Sequence, residues 1–275
     1  MTPASSSLYI VSTPIGNLED ITMRAVRILR EAAVIACEDT RQTRKLLAHY
    51  GIATKAVSYH EHNEQQRSAE LIQRLRAGES VALVSDAGTP LISDPGYRLV
   101  TAAIAAGIPV VPVPGASAVL GALAAAGLAT DAFRFCGFLP AKSGQRRKTL
   151  EALRAEECTL IFYEAPHRIL EALADVETVY GSRPVVVARE LTKLHEEFLR
   201  GSAAEVRSAL ASRAAVKGEI TLLLGKGAAE VPSVPVEEAV RALEQQGVAR
   251  MDAIKRVARE RGLSKRDVYK QVSGT

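Results

Sequence analysis

The feature that most constrains this chain is an alternation in its N-terminal half. Short apolar runs, Leu8–Ser12, Ala33–Cys37, Ala56–His60, Val81–Ser85 and Val110–Val113, are separated by segments of helical pattern. A strand with one wet face alternates apolar and polar residues. A continuous apolar run instead marks a strand covered on both faces, as in a parallel sheet wrapped by helices. Five such units predict one doubly wound α/β domain. Local punctuation agrees: Asn63-Glu64-Gln65-Gln66 reads as a capped helix start and Gly78 as its stop. Asp94-Pro95 reads as an N-cap with proline in the first helical position, and Gly107 as that helix's end.

At roughly 150 residues per domain, the 275 residues leave room for a second domain. Strand-like runs recur at Phe133–Phe138, Thr159–Tyr163, Val185–Glu190 and Ile220–Leu224, with a short extra at Glu197–Arg200. Helical patterns fall near Gln145–Ala155, His167–Tyr180 and Ala203–Ser212. The spacing is less regular, which predicts a second α/β domain of more mixed strand direction, with the hinge in Ala116–Ala132. Ala228–Val236, with Pro232 and Pro235, reads as a linker. Glu237–Gln246, Arg250–Arg261 and Ser264–Val272 then read as three short helices divided at Gly247 and Gly262, the last with Ser264 as N-cap and the pattern of a helix-turn-helix second helix. The expected division is therefore 1–118, 119–230 and 231–275.

Composition excludes several classes. Apolar residues at 47% and charged residues at 24% exclude a disordered chain. Leu99–Thr130 carries no charge and is long enough to span a bilayer, but Pro109, Pro112 and Pro114 interrupt it and the remainder is mostly Ala and Gly. It is expected to form a strand, a sharp turn and a tightly packed buried helix in a soluble, non-membrane protein. Met1–Ser7 has no basic region and no apolar stretch of a secretory signal, and Cys37, Cys136 and Cys158 are few, scattered and odd in number. A cytoplasmic protein with reduced thiols is expected. No metal-ligand spacing occurs; His60-Glu61-His62 lacks a third ligand and reads as a polar strand end.

Ligands of open α/β sheets bind beyond the carboxyl ends of the strands. After the first run comes Ser12-Thr13-Pro14-Ile15-Gly16-Asn17, which is neither a dinucleotide fingerprint nor a Walker loop. It is either a plain βα turn or part of a site. Ser85–Gly96 packs Asp86, Asp94, two prolines and two glycines into one loop, and Pro114-Gly115-Ala116-Ser117-Ala118 opens onto a helix. Small residues let backbone approach a ligand closely, and Asp86 supplies the formal charge nearest the strand ends. Glu38–Lys45 is either a capped helix start or the rim of the cleft. From the second half, Tyr163–Arg168, Ala188–Lys193 and Lys217-Gly218-Glu219 bring charges of both signs towards the same cleft.

The chain is mildly basic, with a net charge of +4. Nine basic against six acidic residues from Glu237 onward put most of that excess in the tail. Lys142, Arg146, Arg147 and Lys148 form a second cluster at a helix start, where cations oppose the helix dipole. With Lys265 and Arg266 they are the expected contacts to a phosphate backbone. The absence of Trp, with seven Tyr and five Phe, argues against an extended base-stacking platform.

Taken together, LYIVSTPIGNLED (Leu8–Asp20), CEDTR (Cys37–Arg41), SDAGTPLISDPG (Ser85–Gly96), PGASA (Pro114–Ala118), YEAPHR (Tyr163–Arg168) and ARELTK (Ala188–Lys193) resemble the 16S rRNA cytidine 2′-O-methyltransferases of the tetrapyrrole methylase superfamily, over almost the whole chain. The resemblance implies two α/β/α domains with a cleft between them and a small C-terminal helical domain. It implies S-adenosylmethionine as methyl donor, a homodimer, and a target ribose in the decoding region of the small ribosomal subunit. Carried over by motif, Pro14, Asp86, Thr89, Ser117, Ala118, Tyr163, Ala188 and Glu219 are expected to hold the donor. Position in the cleft makes Glu190 the candidate general base and Lys193 the candidate stabiliser of the developing oxyanion, with Glu164 and His167 in reserve. Two other readings stand beside this one: a tetrapyrrole-type small-molecule methylase, which the basic clusters disfavour, and a non-enzymatic nucleic-acid-binding regulator, which the long loop-rich α/β portion disfavours.

Overall fold

A computed structural model describes residues 6–226, 235–260 and 263–273. The first unit contains β1 (Leu8–Val11), α1 (Met23–Glu31), β2 (Val34–Cys37), α2 (Thr40–His49), β3 (Ala56–Ser58), α3 (Glu64–Arg76), β4 (Val81–Leu83), α4 (Tyr97–Ala105) and β5 (Val110–Val113). Its five strands are all parallel, in the order β3-β2-β4-β1-β5. The continuous apolar runs have the expected cause. In β2, Val34 and Ala36 face a core completed by Leu71 and Leu75 of α3 and Leu99 of α4. The intervening Ile35 and Cys37 face Ile28 and Leu29 of α1 and Leu47 of α2. With both faces covered, neither parity of the strand tolerates a charge.

The second unit contains α5 (Ala118–Ala126), β6 (Phe133–Phe138), α6 (Ser143–Ala152), β7 (Thr159–Glu164), α7 (Ile169–Tyr180), β8 (Val185–Arg189), β9 (Glu197–Gly201), α8 (Ala203–Ala211) and β10 (Ile220–Leu224). Its sheet runs β6-β7-β10-β8-β9, with β6 and β7 parallel and the other pairs antiparallel. The central β10 is wholly buried. Phe162, Leu222 and Val187 pack on one face with α6, α7 and α8. Ile161, Val186 and Leu223 pack on the other with Val119, Ala122, Leu123 and Ala126 of α5. Each large apolar side chain buried in this way contributes about 1.5–3 kcal/mol.

Helix α5 therefore serves the second sheet, although its sequence continues directly from β5. It is not buried all round as the sequence predicts: Leu120 is exposed while its neighbours on the inner face are covered. Among the described residues no helix is long and apolar enough to cross a membrane.

The tail forms α9 (Val236–Gln245), α10 (Arg250–Glu260) and α11 (Lys265–Ser273) around its own core of Val240, Ile254, Val257 and Val268. Ser264 caps α11 by accepting from the Asp267 amide at 3.1 Å. The sequence readings at Met1–Ser5, at most of the 228–236 linker with Pro232, and at Gly262 lie outside the described residues.

Two cap assignments need correction. Asp94-Pro95 does not start α4. The N-cap is Gly96 at φ +143, and a Cβ there would lie 2.9 Å from Leu83 Cδ2. Asn63 occupies the N-cap of α3 without capping it. Its Oδ1 instead accepts from the His60 amide at 2.9 Å, closing the turn that ends β3 two residues early.

Candidate active site

Three loops at the carboxyl edge of the first sheet are stitched together by short polar contacts. Thr13 and Gly88 exchange backbone hydrogen bonds of 2.9 and 3.0 Å, tying the loop after β1 to the loop after β4. The Ser12 and Thr89 hydroxyls lie 2.9 Å apart. Gly115, in the loop after β5, approaches Ser12 so closely that a Cβ would fall 2.9 Å from the Ser12 Cβ. The small residues singled out in the sequence are thus needed for loop-on-loop packing as well as for room above it.

The opposing wall comes from the second sheet. Because β10 runs antiparallel to β7 and β8, Ile220 pairs with both Glu164 and Arg189. The start of β10 therefore meets the ends of its neighbours. Between the two walls lies a cavity of about 360 Å³, within the roughly 300–1,000 Å³ usual for small-molecule sites. Ile15, Ile92, Phe138, Tyr163, Leu191 and Ile220 give it apolar surface, and Ala87, Gly88, Ala165 and Ala188 give it space.

Seven of the eight residues expected at the donor line this cavity: Asp86, Thr89, Ser117, Ala118, Tyr163, Ala188 and Glu219. Pro14 does not line it; its neighbour Ile15 does. Asp86 is not the sole formal charge, since Asp94, Glu164 and Glu219 also line the space. Asp94 is the residue that sequence reasoning missed, because Asp-Pro before a helical run looks like a cap. The available signal was the loop's excess of polar residues over what a turn needs.

The carboxylates differ in surroundings. Burial raises Asp94 to about 6, helped by the nearby charges of Glu38 and Asp86 and opposed by a hydrogen bond from Ser85. Glu164 is raised by burial, against the pull of the Ala165 amide and Arg168. Its carboxylate is occupied by that amide at 2.8 Å and by the Arg168 guanidinium at 3.1 Å. Tyr163 is raised by burial and by the charges of Asp94 and Glu219. Asp86 accepts from the Asp39 amide at 3.0 Å, while Asp39 itself caps α2. The stretch Glu38–Lys45 is thus both a helix start and a neighbour of the cleft.

Glu190 and Lys193 do not line the cavity. Lys193 Nζ lies 2.9 Å from Glu190 Oε1 and 3.0 Å from Glu219 Oε2. The Lys193 hydrogen bond, then that of the Glu219 amide, hold the Glu190 carboxyl below its ordinary range. Burial pulls Lys193 down, but its bonds to the two glutamates outweigh this and raise it. The Lys193 stem crosses Gly16 of the first unit, where a Cβ would sit 2.4 Å from its Cγ. A paired, depressed carboxylate is a weak proton acceptor, so this geometry suits a clamp between the two units better than the expected base and oxyanion partner. His167 is exposed and outside the cavity.

The basic cluster also divides. Lys142, Arg147 and Lys148 are exposed at the start of α6, and Lys265 and Arg266 are exposed in the first turn of α11. Arg146 is the exception and the expectation of a phosphate contact is corrected. Its side chain is 1% exposed and its Nε meets Asp175 Oδ2 of α7 at 2.7 Å. A guanidinium in that position neutralises a buried carboxylate and cannot reach solvent.

Among the described residues no group of His, Cys, Asp and Glu is placed to hold a metal ion. His60 instead bonds Asn63 at 3.2 Å and stacks edge-on with His62.

Two unlike sheets closing on one small-molecule cavity at their strand ends define a class. The family described as Tetrapyrrole (Corrin/Porphyrin) Methylases matches residues 7–207. Solved structures of similar fold include diphthine synthase (TM-score 0.64, 16% identity, 80% of this chain and 90% of that one). The uroporphyrin-III C-methyltransferase of Thermus thermophilus complexed with S-adenyl homocysteine is another (TM-score 0.55, 21% identity, 80% and 97%). Nearer in sequence are proteins named Ribosomal RNA small subunit methyltransferase I. That of Halalkalibacterium halodurans is 50% identical over 96% of this chain and 93% of its own length. That of Escherichia coli O157:H7 is 46% identical over 97% and 94%. The chain is a methyltransferase that belongs to the tetrapyrrole methylase family and, within it, to the ribosomal RNA small subunit methyltransferase I group. Membership implies S-adenosylmethionine as methyl donor.

Proposed function

We propose that this protein transfers the methyl group of S-adenosylmethionine to the 2′-hydroxyl of a cytidine ribose in the decoding region of 16S rRNA, in the cytoplasm and as a homodimer. The observation that carries the reading is the cavity itself, in which carboxylates line a largely apolar space that opens between two units. Its walls suit an adenosyl group, and its formal charge suits a cation. When bound, the donor supplies an electrophilic methyl group on a positively charged sulfur. Asp86, Asp94 and Glu219 provide the negative field for that charge, and Ser117, Ala118, Tyr163 and Ala188 provide the surface that fixes the donor's orientation. Alignment of acceptor and donor can supply roughly 7–11 kcal/mol of the barrier.

The acceptor reading rests on the names of the relatives and on the exposed cations Lys142, Arg147, Lys148, Lys265 and Arg266. A small tetrapyrrole would need neither cluster. The homodimer is supported by an apolar groove beside the site, lined by Pro112, Pro114, Leu120, Phe133 and Phe135, of which Leu120 and Phe133 are exposed. The test is transfer of labelled methyl from S-adenosylmethionine to small subunits, to naked 16S rRNA and to a tetrapyrrole, followed by mapping of the modified sugar. Label confined to one ribose of the subunit is expected. Label on the tetrapyrrole alone, or on a base, overturns the proposal.

A further inference from the structure

A ribose hydroxyl is a poor nucleophile unless its proton is accepted as the new bond forms, and four carboxylates border the cavity. Three are already engaged or open to bulk water. Glu164 is held by the Ala165 amide and Arg168. Glu219 is tied to Lys193 and its side chain is 75% exposed. Asp86 is exposed and accepts from the Asp39 amide. Asp94 is half-buried and lines the cavity, and no ion pair involving it occurs among the described residues.

We propose that Asp94 is the catalytic residue that takes the proton from the acceptor hydroxyl. The assignment rests on the methyl-transfer reading of the site given above. The backbone around Asp94 supports it. Ser93 and Leu91, neither of them glycine, adopt φ values of +67 and +73. Such backbone is strained and persists only where the surroundings over-determine it. Here Leu91 is wedged against Gly96, where a Cβ would lie 3.1 Å from its Cδ1. Pro95 fixes the next φ. This turn carries Asp94 ahead of the helix start at Gly96 and onto the cavity lining.

The electrostatics point the same way. The groups that face Asp94 are Glu38, Asp86 and Ser85 from the first unit and Tyr163 from the opposing wall. None is a cation. Burial and two like charges leave its affinity for a proton close to neutrality, where a general base is most effective. A sulfonium bound beside it favours the ionised form, so donor binding prepares the base. In the transfer step the hydroxyl oxygen forms its bond to the methyl carbon. The carbon–sulfur bond breaks with its electron pair left on sulfur, the hydroxyl proton passes to the Asp94 carboxylate, and that proton is then lost to water.

Asp94→Asn and Asp94→Glu test this against the wild type. Asn is expected to lower single-turnover transfer to small subunits by about 10²–10⁴-fold and to abolish the acidic limb of the pH–rate profile. Glu is expected to keep that limb at a reduced rate. S-adenosylmethionine binding at pH 6, followed calorimetrically in two buffers of different ionisation enthalpy, is expected to release protons from the wild type and not from the Asn variant. An Asn variant within twofold of the wild type with its acidic limb intact overturns the assignment, as does equal proton release by both. If Asn fails to fold, judged by its thermal transition, the Glu variant decides: an unaltered rate and profile overturn the proposal. A wild-type protein that methylates no RNA refutes the acceptor reading, and the proton count on donor binding then decides whether Asp94 is the titrating group.

Discussion

Arg146 offers the sharpest test of how this fold uses its charge. Its guanidinium is buried between α6 and α7, with Nε 2.7 Å from Asp175 and a donor 3.2 Å from the Ala141 carbonyl. Asp175 also accepts from Ser143, the first residue of α6, at 2.9 Å. Replacing Arg146 by Met leaves a carboxylate with 11% side-chain exposure facing an apolar group. Breaking such a pair from one side costs about 3–5 kcal/mol. At a urea slope of about 2 kcal/mol/M that is a fall of about 1.5–2.5 M in the unfolding midpoint. Arg147→Met, at a side chain 49% exposed and 3.7 Å from the same carboxylate, should cost no more than about 1 kcal/mol. The double variant Arg146→Met/Asp175→Leu removes both charges and should recover most of the loss, because a buried pair is often matched by apolar packing of similar volume. Urea unfolding of the three variants decides. Equal midpoints for the two single variants, or no recovery in the double, would refute the reasoning.

Three other outcomes follow from the same structure. Glu197 is held at about 2, first by Arg213 and also by Arg189, well under the unfolded value of about 4.3. Its contribution is therefore complete above about pH 4.3 and lost as pH falls towards 2. The urea-midpoint gap between wild type and Glu197→Gln should close over that window, and a constant gap would contradict it. Gly218 has φ +92 and no room for a Cβ, which would lie 2.4 Å from Glu190 Cγ. Gly218→Ala should lose about 1–3 kcal/mol in the thermal transition, whereas Gly144→Ala, with open space in α6, should gain up to about 1 kcal/mol. Changing exposed Lys142, Arg147 and Lys148 to Gln should flatten the salt dependence of RNA affinity by about two units of log–log slope while leaving donor affinity unchanged. An unaltered slope in a filter-binding assay would remove this cluster from the RNA interface.

Much of the architecture was legible because its causes are local. β5, β6 and β10 fall at Val110–Val113, Phe133–Phe138 and Ile220–Leu224, where apolar runs end at Pro, Gly or charge. The small polar loops after β1, β4 and β5 converge because parallel strands deliver their carboxyl ends to one edge. What remained hidden depended on partners distant in sequence. Arg146 and Asp175 are 29 residues apart, and nothing near Arg146 distinguishes it from exposed Arg147. Asp94 was misread since its local context, Asp-Pro ahead of a helix, is a sound capping signal. Only the left-handed turn at Ser93 and the packing of Gly96 on Leu83 move the helix start past it. Lys193 is the third case. Its three-residue spacing from Glu190 was visible, but its bond to Glu219 and its passage over Gly16 required the fold.

A site read as taking both a cation and a polyanion needs its acidic and basic groups in different places. Asp86 and Asp94 of the first unit and Glu164 and Glu219 of the second line the cavity, and their field favours a sulfonium while repelling phosphate. The cations proposed to meet RNA lie at the start of α6 and in the first turn of α11, whereas exposed Arg41, beside the acidic loops, is paired with Asp39 at 2.7 Å. An RNA backbone held by those cations would bring a single ribose towards the cavity while its own phosphates stay away from the acidic loops. At physiological ionic strength screening acts over about 8 Å, so the two fields need only be separated by somewhat more than that to operate independently. A donor bound ahead of RNA would leave Asp94 ionised before the acceptor hydroxyl arrives, with its proton already released.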